Sequence, residues 1–223
     1  MMAKPMMTDT ISKLAIAAAS SVAALCAVPV AAQTFTPIEA PTTGSENVFI
    51  EQIGNANSAS INQANNGQTA EIEQDGDGNT ADIDQEDAGD HVATLTQTGN
   101  GNTGEVVQTG AAGNVAVLTQ TGDDNSVLLA QNNTGLLGSA AEIFQNGTNN
   151  SIALVQDGDD NQARLTQDGD DNSMIATQLN SGNRLEWVQQ GSSLSGTIVQ
   201  QTGNQQMFIL QTGVGSVVNG GQN

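Results

Sequence analysis

Glutamine returns along this chain at a nearly fixed interval: Gln52, Gln63, Gln74, Gln85, Gln97, Gln108, Gln120, Gln131, Gln145, Gln156, Gln167, Gln178, Gln189, Gln200 or Gln201, and Gln211. A spacing of about eleven, kept from residue 47 to the end, makes this part of the chain one array of similar units. The unit QDGDGNTADIDQ, residues 74–85, divides into a turn and a strand. In the turn, Gly76 and Gly78 accept positive φ, and Asn79 tolerates left-handed geometry. In the strand, Ala81, Ile83 and Gln85 alternate with Thr80, Asp82 and Asp84, a period of two. A six-residue strand is not stable alone, so the units must stack. One strand and one turn per eleven residues close into a two-strand coil of about 22 residues.

The spacing carries a second signal. The longer intervals run from Gln85 to Gln97, from Gln108 to Gln120 and from Gln131 to Gln145, all on the same parity. One corner of the coil is therefore expected to be uniform and the other to absorb insertions. The expected architecture is an all-β solenoid of about eight coils, roughly 38 Å long at about 4.8 Å per coil. Its interior is two facing rows in which small Ala59, Ala70, Ala81, Ala93 and Ala163 alternate with large Ile61, Ile72, Ile83, Leu95 and Leu165. Trp187 lies on the inward parity of Gln189 and is too large for that gap, so its coil is either distorted or breaks the alternation.

Composition narrows the function. The 223 residues are 37% hydrophobic but 2% aromatic, with 25 Gly and no Tyr, too little bulk for an ordinary close-packed core. The net charge is −20 and the four cationic residues are Lys4, Lys13, Arg164 and Arg184, so a basic nucleic-acid surface is excluded. Lys4 and Lys13 precede or open an apolar run over residues 14–30, followed by Ala31 and Ala32; residues 1–32 read as a secretion signal. Residues 33–46, with Pro37 and Pro41, read as a flexible leader, and residues 47–223 as the repeat domain. Removal of the signal takes Cys26, the single cysteine, and leaves 23 acidic residues against two arginines, a net charge of −21. Order in the exported chain must then come from backbone pairing.

Amide side chains at strand ends can lie over their equivalents in the next coil and bond along the stack, each using donor and acceptor together, which a carboxylate at neutral pH cannot do. The expected ladder residues are Gln52, Asn57, Gln63, Gln74, Asn79, Gln85, Gln97, Asn102, Gln108, Gln120, Asn125, Gln131, Gln145, Asn150, Gln156, Asn161, Gln167, Asn172, Gln178 and Gln189. The turns depend on Gly54, Gly76, Gly99, Gly122, Gly147, Gly158, Gly169 and Gly191.

The pattern Gln-x-Gly-x-x-Asn-x-Ala-x-x-x-Gln resembles the curlin repeat of curli, the functional amyloid fibres of bacterial surfaces. It is complete at Gln52, Gly54, Asn57, Ala59, Gln63; at Gln74, Gly76, Asn79, Ala81, Gln85; and at Gln156, Gly158, Asn161, Ala163, Gln167. At Gln120 and Gln167 the unit keeps all but the Ala, which becomes Val127 or Met174. The resemblance implies a β-solenoid monomer, secreted through an outer-membrane pore and added end to end to a biofilm fibre, with a nucleator subunit as a further partner.

Other readings fit the sequence less well. The acidic turns offer Asp157, Asp159, Asp160, Asp168, Asp170 and Asp171 as calcium ligands, yet on the uniform corner only every second coil is acidic, which suits limiting repulsion better than a metal row. A secreted soluble adhesin or calcium-binding module is the alternative to a fibre subunit. No cofactor is expected. The acids recur with the repeat and form no unique catalytic pair, and His91, the one histidine, reads as a solvated loop residue. The outward positions turn apolar toward the C-terminus, at Leu128, Phe144, Val155, Ile175, Val188, Val199, Phe208 and Leu210, a candidate surface for lateral contacts or docking to a nucleator.

Overall fold

A computed structural model describes Ile38 and residues 47–222. The segment read as a secretion signal, and the leader apart from Ile38, lie outside the described residues. The chain forms sixteen strands: β1 (Asn47–Ile53), β2 (Ser58–Gln63), β3 (Thr69–Asp75), β4 (Thr80–Gln85), β5 (Val92–Thr98), β6 (Thr103–Gly110), β7 (Val115–Thr121), β8 (Ser126–Asn133), β9 (Ala140–Asn146), β10 (Ser151–Asp157), β11 (Gln162–Asp168), β12 (Ser173–Leu179), β13 (Arg184–Ser192), β14 (Ser195–Gln200), β15 (Gln206–Val214) and β16 (Val217–Gln222). Odd strands make one eight-stranded sheet and even strands the other, each pairing with its neighbour two strands on. Every pairing is parallel and in register, so Gln lies on Gln throughout: Gln52 on Gln74, Gln97 on Gln120, Gln156 on Gln178. Parallel pairs need a crossover, and here the crossover is the strand of the opposite sheet. This is the β-solenoid of eight coils.

Period-two alternation explains which side chains meet. In β4 the burial runs exposed, buried, exposed, buried, half-buried, buried, which puts Ala81, Ile83 and Gln85 inside. The same parity on the facing strands makes a thin core that includes Ala70, Ile72, Ala93, Leu95, Ala163 and Leu165, all at 0% exposure. Where a large residue enters, the opposite strand gives way. A Cβ on Gly104 would collide with Leu95, and one on Gly196 with the Trp187 ring. Trp187 is fully buried and its strand keeps the alternation, so neither expected distortion occurs; the missing side chain at Gly196 makes the room. Its indole Nε1 has no hydrogen-bond partner.

The three long intervals fall at the same corner, from even strands to odd ones: residues 86–91, 109–114 and 132–139. The other corner joins Gln to the next strand through five residues in every coil.

Candidate functional site: the amide ladders and the two open ends

Two rows of glutamines close the edges of the gap between the sheets. On the odd sheet, Gln52, Gln74, Gln97, Gln120, Gln145, Gln167 and Gln189 each donate from Nε2 to Oε1 of the next, ending at Gln211, at 2.7–2.9 Å. On the even sheet, Gln63, Gln85, Gln108, Gln131, Gln156 and Gln178 do the same up to Gln200, at 2.8–2.9 Å, and Gln200 reaches Gln222 at 3.4 Å. The second amide proton crosses between sheets. Gln74 donates to Ser58 O, Gln97 to Thr80 O and Gln189 to Ser173 O, each the carbonyl that opens a facing strand. An interior Gln thus uses one acceptor and both donors, whereas Glu at these 0–2% exposed sites could donate nothing. The cross-sheet bond has no sequence signature, because it joins residues sixteen to nineteen apart.

The asparagines work differently. Asn57, Asn79, Asn102, Asn125, Asn150 and Asn172 stack at the five-residue corner, where each Oδ1 accepts the backbone N–H of the next Asn, or of Leu194 after Asn172. Each Nδ2 donates to a turn glycine carbonyl one coil on, as Asn79 does to Gly99 and Asn125 to Gly147. Asn79 is not left-handed, contrary to the sequence expectation. The positive-φ positions in that turn are Gly76 (φ 128) and Gly78 (φ 70). The asparagine is needed as a buried clamp.

Gly54, Gly76, Gly99, Gly122, Gly147, Gly169 and Gly191 stack at the same corner. A Cβ on any of them would meet the next glycine's carbonyl oxygen, so φ and space exclude a side chain together. Gly158 and Asn161 belong to the opposite corner. There Asn161 takes its place in a mixed column with Gln68, His91, Asn114, Ser139, Asn183 and Gln205, residues that each directly precede a strand. Sequence reading missed this column because its residue types differ; the shared position before the strand was the available signal.

His91 is the clearest correction. It is fully buried, its Nδ1 accepts the Asn114 N–H at 3.0 Å, and its Nε2 lies 3.0 Å from Glu86 O. These contacts fit the neutral Nε2–H tautomer, which donates to the carbonyl. Burial lowers its pKa below the ordinary 6.5, against the opposing pull of the Glu86 carbonyl and of Asp87 and Asp90.

The acidic turns are spread over both corners. Asp157, Asp159 and Asp160 lie at one, and Asp168, Asp170 and Asp171 at the other. Amides or backbone N–H groups of the preceding coil bond five of them: Asn132 to Asp157, Gly135 N to Asp159, Asn146 to Asp168, Thr148 N to Asp170 and Asn149 to Asp171. Asp160 lies 3.8 Å from Arg184. Among the described residues no group of three or more His, Cys, Asp or Glu is placed to hold a metal ion.

The array ends in open edges. Among the described residues β1 and β2 pair on one side only, as do β15 and β16. Inward Val48 and Ile50 are 57% and 43% exposed, because no coil of the described residues lies beneath them. Outward Phe49 and Phe208 stand at equivalent register positions on the first and last odd strands and are 45% and 46% exposed.

The family model for the curlin associated repeat matches residues 64–99, 139–169 and 147–179. Comparison with curated proteins finds no match, and neither does comparison with solved structures.

Proposed function

The chain carries the curlin repeat, and from that premise we propose that it is a structural subunit of an extracellular fibre of the curli type, serving biofilm matrix and surface adhesion. The observation that carries this reading is the match between the two open ends. If the repeat continues in register across a joint, Met207 and Ile209 meet Val48 and Ile50 of the next copy, Gln211 meets Gln52, and Phe208 stacks on Phe49. Unpaired strand edges with apolar interiors are templates for another chain, and no proline lies between residues 47 and 222 to block pairing. The ladder has a direction as well. Each Gln donates toward the C-terminal end, so head-to-tail addition brings the Oε1 of Gln52 to a preceding copy's Gln211, whose Nε2 keeps its bond to Ser195 O and exchanges the one to Ser216 O for the new rung.

In this reading residues 1–32 direct export, an outer-membrane pore passes the chain, and a nucleator subunit supplies the first edge. The ladder glutamines and asparagines carry assembly, and the repeat and the solenoid fold are those of a structural protein. The test is growth of the chain lacking residues 1–32, followed by thioflavin fluorescence and fibre diffraction. The expected result is seeded growth with reflections near ~4.8 and ~10 Å, slowed at least about tenfold by Phe49→Asp, since that change places a carboxylate in every joint at a loss of about 1.4 kcal/mol or more. A chain that stays monomeric and never shows the cross-β spacing is the soluble binding module instead.

A further inference from the structure

The eight outward apolar residues of the C-terminal half do not share a face. Phe144, Val188, Phe208 and Leu210 lie on the odd sheet beside the charged column Glu142, Arg164 and Glu186. Leu128, Val155, Ile175 and Val199 lie on the even sheet, where of the outward positions of β8, β10, β12 and β14 one, Asp157 at a strand end, is ionisable. The two central columns of that sheet form a checkerboard. Along the stack the outward pairs are Leu128 with Ala130, Ala153 with Val155, Ile175 with Thr177, and Thr197 with Val199, so the larger residue changes column at each coil. Leu128, Val155 and Ile175 protrude with 43%, 40% and 47% exposure, and their smaller neighbours are half-buried.

We propose that this face packs against the same face of a second copy about a two-fold axis parallel to the stacking direction. Such an axis, passing between the two columns, exchanges them at every level. Leu128 then lies over Ala130 of the second copy, Val155 over Ala153, Ile175 over Thr177 and Val199 over Thr197, and the same contacts repeat in the other direction. Large meets small at each of the eight contacts, the dry interdigitation that holds paired sheets about 10 Å apart. Charge selects the same occupant. A chain of net charge −20 repels its own copies, and over β8, β10, β12 and β14 two of them meet with no carboxylate in the two central columns. The same axis lays Asp82 of each copy over Asp84 of the other at β4, a repulsion that the apolar levels must outweigh. The axis also keeps both stacks pointing the same way, as head-to-tail growth requires.

The pairing rests on the fibre reading, and its size says why. Four strands of about six residues present roughly 19 by 20 Å, about 380 Å² per copy, well under the ~800 Å² per partner of a stable interface. Single copies stay apart, and a stack sums the contact over all its members.

The experiment grows fibres of the chain lacking residues 1–32 and reads two quantities separately: thioflavin growth, and mass per unit length by scanning transmission electron microscopy. The unsubstituted chain is expected to give two chains per solenoid length, and Leu128→Glu with Ile175→Glu to keep growth while halving the mass per length. Ala130→Leu alone places Leu against Leu and is expected to halve it too, while Ala130→Leu with Leu128→Ala restores the large-to-small facing and the pair. Unchanged mass per length in the Glu variant overturns the assignment of this face. A gain in pairing from Ala130→Leu alone overturns the two-fold, since generic apolar contact grows with area. Absence of cross-β fibres in the unsubstituted chain overturns the fibre reading and this proposal together.

Discussion

The coil turns through two corners that differ in tolerance. From odd to even strand the connection after Gln is five residues in all eight coils and ends in Asn six times. From even to odd it is five after Gln63, Gln156, Gln178 and Gln200, six after Gln85 and Gln108, and eight after Gln131, and the residue before the strand varies among Gln, His, Asn and Ser. Both corners carry a stacked Gln and a backbone bond from each coil to the next. The first adds a glycine column with carbonyls where side chains would go, and has two left-handed positions in every turn, such as Gly122 (φ 105) and Asp124 (φ 54), where the second has two only in some turns, such as Gly158 (φ 125) with Asp160 (φ 51). An inserted residue there would displace the turns above and below. At the second corner the extra residues bulge outward, and Leu136 is 94% exposed. Uniformity follows from how many neighbours each turn residue constrains.

The sharpest break in that comparison is Gly122→Ala. A Cβ there adds left-handed strain and a collision with Gly147 O, so a loss of about 3 kcal/mol or more is expected. Chemical denaturation of the monomer measures it. A loss under about 1 kcal/mol would show that the corner relaxes freely and that uniformity has another cause.

Next in size is the clamp. Asn125→Ala leaves the buried Asn150 N–H without its acceptor and Gly147 O without its donor, for a loss of about 2 kcal/mol. Ser139→Ala at the second corner removes the longer 3.3 Å contact from Asn161 N and the Ser139 Oγ bond to Gly158 O, for about 1 kcal/mol. Equal losses would erase the distinction between the corners.

A smaller effect depends on pH. His91 has a lowered folded-state pKa, so the unfolded chain holds the proton more tightly and stability from neutral His91 is lost as pH falls below about 6.5. The geometry agrees, because a proton on Nδ1 displaces the Asn114 N–H. Protection of the Asn114 N–H, taken relative to its intrinsic exchange rate at each pH, should fall between pH 7 and 5 in the native chain and much less in His91→Asn, which restores the residue type found at Asn114 and Asn183. Further acidification, to about pH 4, brings the outward carboxylates into their ordinary range of protonation and is expected to hasten self-association, so exchange is followed above that range and aggregation separately. An identical pH response in His91→Asn would remove His91 from the effect.

The smallest change is expected from Leu136→Ser with Leu137→Ser, whose side chains are 94% and 60% exposed; a stability by chemical denaturation within about 0.5 kcal/mol of the native chain fits an outward bulge. A larger loss would mean that this loop supports the array.

The coil, its length and the parity of its insertions are legible in the sequence, since period two fixes which side chains face inward and a repeat of 22 fixes what lies on what. Gln at every eleventh residue names its own neighbours because the stack is in register. Tertiary structure decided what crosses between the sheets. Trp187 is accommodated by Gly196, nine residues away along the chain and in the facing sheet. His91 is buried because Asn114, one coil on, presents an N–H to it. Gln74 gives its second proton to Ser58 O, across the gap. The division of the apolar outward residues between the two sheets likewise emerged with the assignment of each strand to its sheet. A repeat encodes contacts along the stack in its period, but contacts across the gap depend on sheet spacing and on how each turn sets the phase of the next strand, and these are fixed only when the whole coil packs.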